Sequence, residues 1–218
     1  MSLLTNVYYQ SDKVSADVIS LADMKLYLKV EDTTDDDLIT AIINAAVTIA
    51  EKIMNRDLLT TTYINYRNSI IGDLTLRKGK FQSLISIEYL KDSVDKTLDS
   101  DNYIVQNFGI YGKIYRILIP ESYDDHPEAI KITFKTGYGD TASSIPADII
   151  NAIKVHVAFM YENRGDCDID YSNQTYILET LPATSKLIYS FNKIVDANGY
   201  IWLWVVEKYY HLKNLKHV

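Results

Sequence analysis

Apolar and polar positions alternate along this chain with two different periods. Between Ser20 and Arg56 the period is helical. Leu21, Met24 and Leu28 recur at spacings of three and four, and Ser20 followed by Asp23 is a capping-box start. A second helix is expected to open at Thr34 as cap, with Asp37 three residues on. Its apolar stripe is Leu38, Ile39, Ile42, Ile43, Ala46, Ile49, Ala50, Ile53 and Met54. Residues 35–55 as one helix would be about 31 Å long. Asp35, Asp36 and Asp37 stand where a helix dipole favours negative charge. Ala41, Ala45, Ala46 and Ala50 are small enough for other helices to come close, and Ala41 and Ala45 are candidate interface positions.

The period then drops to two. Leu59–Tyr66, Leu74 with Leu76, Leu84–Leu90, Tyr103–Val105, Ile114–Ile119 and Ile130–Phe134 read as short strands separated by polar or glycine-containing turns. They predict an antiparallel sheet or small barrel. Gly137 and Gly139 break the series. Ser144 and Pro146 mark a helix start, and Ile149, Ile150, Ile153, Val157, Met160 and Tyr161 form a second helical stripe. Asn163-Arg164-Gly165 ends it. A short helix from Pro182 carries Leu187, Ile188 and Phe191. The fold class is therefore α+β: two N-terminal helices plus a helix after residue 145, with an inserted antiparallel β unit. The boundaries fall at 1–19 (a lead-in), 20–58 with 145–194 (the helical core), 59–136 (the β insertion) and 195–218 (an extension).

The extension reads YIWLWVVEKYY over 200–210 and is apolar on every face. Trp202, Trp204, Tyr209 and Tyr210 are expected to be buried, either by folding back on their own subunit or against a neighbour. Lys213 and Lys216 would then meet an acidic surface.

Composition narrows the function. The 218 residues are 47% hydrophobic, enough for a large core, and the net charge is −7. That charge argues against a protein that grips nucleic acid. The two opening helices are not a DNA reader either, because the second starts with Asp35-Asp36-Asp37, which phosphates would repel. Cys167 is the only cysteine, so no internal disulfide forms and a reducing compartment is expected. The N-terminus has no signal-peptide pattern, and no run approaches a membrane span. Tyrosine, at 18 residues, accompanies many Ile, Asn and Lys, which is the mark of AT-rich coding.

Candidate chemistry is sparse. Glu31, Asp32, Asp35, Asp36 and Asp37 lack the glycine of a calcium loop, and helix capping accounts for three of them. Asp166, Asp168 and Asp170 open like an EF-hand, but Tyr171 and Ile177 stand where glycine and glutamate belong. A small hydrolase using that loop is the enzymatic alternative. His126, His156, His211 and His217 fit no zinc spacing, and His156 sits beside its helix's apolar face. Gly137-Tyr138-Gly139 lacks the third glycine of a dinucleotide fingerprint. No cofactor, metal or catalytic residue is expected.

LADMKLYLKVEDTTDDDLITAIINAAVTIAEKIMNRDL (21–58) resembles the N-terminal signature of phage head–tail connector proteins of the gp6-like type. LRKGKFQSLISIEYL (76–90) is similar to a strand segment of that group's longer members. ITFKTGYGDTASSIPADIINAIKVHVAFMYENRG (132–165) is similar to their return to helix. Phe81 departs from an expected proline, and the chain beyond about Ile194 has no counterpart. The resemblance implies a non-enzymatic ring subunit under the portal in the virion neck, made in the bacterial cytoplasm. Tail-side proteins would dock below it, and DNA would pass without being held. Another neck or tail-completion protein is the alternative within the same class.

Overall fold

A computed structural model describes residues 6–70, 72–76, 78–109, 111–119, 122–164 and 181–191. Contact density divides the chain into two compact units. One comprises Met1–Val18 and Arg56–Pro146, the other Ile19–Asn55 and Ala147–Val218.

The helical unit begins with α1 (Leu21–Leu28) and α2 (Asp36–Met54). Ser20 caps α1 as expected, its hydroxyl accepting from the Asp23 amide at 3.1 Å. Left-handed residues end both helices, Lys29 at φ 59° and Asn55 at φ 50°. The cap of α2 differs from expectation: it is Asp35, not Thr34, and no side chain bonds the helix amides. Asp32 takes the Thr34 amide at 2.9 Å, so the chain turns one residue later. Ile39, Ile42, Ile43, Ala46, Ala50 and Met54 are buried, while Leu38 falls off the stripe and is exposed. α3 (Ala147–Glu162) buries Ile149, Ala152, Ile153, His156 and Val157. α4 (Ala183–Phe191) buries Ser185 and Tyr189 at a spacing of four, which leaves Leu187 outward. α3 packs on both α2 and α4.

The β unit contains two antiparallel sheets. In the first, β1 (Asn6–Lys13), β2 (Thr61–Arg67), β8 (Ile130–Thr136), β4 (Phe81–Lys91) and β5 (Val94–Thr97) lie in that spatial order. In the second the order is β3 (Leu74–Leu76), β7 (Gly112–Tyr115), β6 (Ile104–Asn107). Inward residues of both sheets share one core, with Leu76, Ile87, Ile114, Ile130, Ile132 and Phe134 fully buried. The alternation of β8 is as clean as its sequence: Ile130, Ile132, Phe134 and Thr136 in, Lys131, Thr133 and Lys135 out. β1 lies within the stretch that the sequence presents as a lead-in. Its residues are exposed or half-buried on both faces, so an edge strand there lacks the contrast that reveals a strand.

Gly137 makes the turn out of β8 possible. Its φ is +105°, and a Cβ there would strike the Leu59 carbonyl. Leu59 and Gly139 form a parallel bridge beside it.

Candidate assembly surfaces

Three strands meet at one end of the first sheet. Thr61, Thr136 and Phe81 are in register across β2, β8 and β4. Arg56 precedes β2, Lys80 precedes β4 and Tyr138 follows β8, so this register brings the three together. Lys80 Nζ lies 4.6 Å from the centre of the Tyr138 ring, and Arg56 Cζ lies 5.7 Å from the same ring. Arg56 Nη1 also donates to the Tyr138 hydroxyl at 2.5 Å. Lys78 Nζ stands 5.2 Å over Tyr63. Each cation is therefore held on an aromatic face.

Asp57 lies within this end and is buried. The Tyr63 hydroxyl donates to its Oδ1 at 3.0 Å and the Thr136 hydroxyl to its Oδ2 at 2.8 Å. Gly79 runs so close that a Cβ there would come within 2.7 Å of that carboxylate. The carboxylate thus anchors the loop that carries the half-buried Lys78 and Lys80. Nothing in the local sequence flags this end, because its members are scattered over 56, 78, 80 and 138.

The opposite end carries the β4–β5 turn at Asp92 and Ser93 and the loop 124–128. Asp124 accepts from the Asp92 amide at 3.0 Å and the Ser93 amide at 2.8 Å. The Ser93 bond, then the Asp92 bond, holds its carboxyl below the usual range. Asp92, Asp125 and Glu128 are exposed.

In the helical unit the acidic cluster is a set of ties. Asp35 accepts from the Tyr161 hydroxyl at 2.5 Å and from Arg164 Nη1 at 3.1 Å. The Tyr161 bond first, then Arg164, holds its carboxyl below the usual range. Asp36 takes Lys25 Nζ at 2.6 Å. These bonds fix the start of α2 against the end of α3 and against α1. Capping alone, the expectation for these acids, misses that role. Among the described residues no group of His, Cys, Asp and Glu is placed to hold a metal ion. No described helix is long and apolar enough to cross a membrane.

Of the candidate contact residues, Ala41 is exposed and Ala45 half-buried on α2, whereas Ala46 and Ala50 are consumed inside the unit. Trp202, Trp204, Tyr209 and Tyr210 lie outside the described residues, as do Lys213, Lys216, the loop Asp166–Asp170, Cys167, His211 and His217.

His156 is packed, not displayed. Its ring meets Tyr189 edge-on at 6.1 Å, and burial pushes its pKa down to about 4. The unfolded imidazole titrates near 6.5, so the unfolded chain binds the extra proton between those values. Stability is full above about pH 6.5 and falls as the pH drops towards 4, by on the order of 3 kcal/mol. Urea midpoints of wild type and His156→Leu should diverge over that window. A constant difference between them across it would refute a buried neutral histidine.

The two-unit fold has known counterparts. It matches a chain in the neck of an empty GTA particle computed with C6 symmetry, at TM-score 0.66 and 14% identity, over 89% of this chain and 98% of that one. A chain in the virion of a native gene transfer agent matches at TM-score 0.67 and 13% identity, with the same coverage of 89% and 98%. A chain in the neck of a native GTA particle computed with C12 symmetry matches at TM-score 0.67 and 15% identity, again over 89% and 98%. At such identities these matches establish the fold. No curated protein matches the chain. The head completion protein family matches residues 17–191, most of the chain, and the chain belongs to that family. It is a phage head–tail connector subunit with a structural role in virion assembly.

Proposed function

We propose that this chain forms a closed ring in the virion neck, with the portal on one side and tail-side neck proteins on the other. The family match over residues 17–191 carries the reading. The ring is supported by the C6 and C12 symmetries of the particle necks that hold its structural counterparts. Identical subunits in a ring need heterologous contacts that close. The chain is made in the host cytoplasm before assembly, and family membership supports a structural rather than a catalytic role. We assign residues 20–58 and 145–194 to the connector core, with 59–136 inserted in it and 195–218 extending from it.

Sedimentation with and without the portal tests the ring. A monomer alone and a ring with portal are expected, since such rings assemble on a template. No association in either condition would count against the proposal. Duplex DNA should bind negligibly at physiological salt, given the net charge of −7. A gel shift with sub-micromolar, salt-sensitive affinity would refute free passage.

Ala41 and Ala45 are proposed subunit contacts on α2, and Trp202, Trp204, Tyr209 and Tyr210 on the extension. Deleting 196–218 separates two roles for the latter. Retained stability with lost assembly makes the extension an interface. A loss of several kcal/mol, the scale of burying aromatic side chains, makes it core.

A further inference from the structure

We infer that the Arg56–Lys78–Lys80 end of the β unit docks against the Asp92–Asp125–Glu128 end of a second copy of this chain. The inference rests on the proposed ring and names one of its contacts. Three observations carry it.

The first is that the two ends of one sheet differ in charge. The Thr61–Thr136–Phe81 register defines one end, and the Arg67–Ile130–Tyr89 register defines the other. Arg56, Lys78 and Lys80 belong to the former. Asp57 at that end is turned onto Tyr63 and Thr136; Asp12 and Asp140 are its exposed carboxylates, and Lys13 and Lys135 lie on the same rows of the sheet and add to its positive charge. Asp92, Asp124, Asp125 and Glu128 belong to the latter. Its cations are Lys91, whose Nζ donates to the Ser122 hydroxyl at 3.2 Å, Arg67, whose Nε donates to the Asn65 side chain at 2.7 Å, and Lys96 opposite Tyr89, fewer than its carboxylates.

The second observation is that the basic end is built. The cations rest on Tyr138 and Tyr63, and the loop between Lys78 and Lys80 is pinned by its contact with Asp57 and Thr136. Side chains held this way lose less conformational freedom on docking.

The third is complementarity. A positive end and a negative end on one unit are unlike patches, so contact between copies is heterologous and propagates from subunit to subunit. A phosphate backbone is the less favoured occupant, because the remainder of a chain of net charge −7 would repel it.

Charge reversal tests this with full-length protein and the portal, scored by sedimentation and electron micrographs. Lys78→Glu with Lys80→Glu should raise the protein concentration needed for rings about tenfold or more. Its melting temperature should stay within a few degrees of wild type. Adding Asp92→Lys and Asp125→Lys to the same chain should restore rings, because the ends are again opposite in sign. Raising salt should weaken wild-type rings over the range in which exposed charges are screened. If Lys78→Glu/Lys80→Glu assembles like wild type, the inference is wrong while the ring stands. If the reversal abolishes rings and the four-residue swap does not restore them, the basic end meets some other molecule, and the inference is again wrong. A wild-type chain that never assembles overturns the ring itself.

Discussion

Replacing Phe134 with alanine is expected to cost about 3–5 kcal/mol, the range for emptying a large aromatic site in a packed core. Phe134 is fully buried on β8, the middle strand of five. Its ring stacks on Tyr63 at 6.1 Å and on Phe81 at 6.3 Å, and meets Tyr8 edge-on at 6.2 Å. Three strands beside its own therefore lean on one side chain. Alanine leaves a void that Phe81 cannot close, because the Phe81 ring already lies against the backbone of Gly112 in the other sheet. Phe134→Leu keeps most of the volume and should cost far less. Urea denaturation of the three proteins decides it. A Phe134→Ala protein within about 1 kcal/mol of wild type, well below the usual range, would mean that this aromatic cluster does not hold the sheet.

Gly137→Ala should cost at least about 2 kcal/mol, from backbone strain and contact together. At φ +105° any side chain is strained, and here it would also strike the Leu59 carbonyl, with the Thr60 nitrogen 3.0 Å away. Those neighbours cannot easily retreat. Gly137 donates to the Lys80 carbonyl at 2.8 Å, Tyr138 to Leu58 at 3.1 Å and Thr60 to Gly139 at 2.9 Å. Gly72 supplies the control, with φ +72° and open space for 4 Å around the position a methyl group would take. Gly72→Ala should cost only the backbone penalty, roughly 1 kcal/mol. Thermal melts of both variants isolate the contact. Equal losses would show that the approach to Leu59 is not the constraint.

Most of the fold is legible in the sequence because burial in this chain follows simple periods. Ile130, Ile132 and Phe134 face one way and Lys131, Thr133 and Lys135 the other, so β8 can be read directly. The stripe from Ile39 to Met54 marks α2 in the same way. The family, too, is visible in the order of three blocks rather than in any reactive residue. What escapes are features with no local pattern. β1 has no buried face of its own, and Asp35 acts as a tie only because Tyr161 and Arg164 arrive from 126 and 129 residues away. The Tyr138 cluster likewise exists only once the register of β2, β8 and β4 is set.

The position of β8 also governs when the sheet can form during synthesis. β2 and β4 do not pair with each other; each pairs with β8, which is made last. Until residue 136 leaves the ribosome, the nascent chain carries two strands with an unfilled slot between them. The closing contacts are long-range, 75 residues in the bond from Thr136 to the Thr61 carbonyl and 79 in the bond from Thr136 to Asp57, so closure is entropically slow. Unpaired strands waiting on a polysome are open to pairing with the same strands of a neighbouring nascent chain. Slower translation between Leu90 and Ile130 should therefore lower the soluble yield of this protein, whereas slower translation after Thr136 should not.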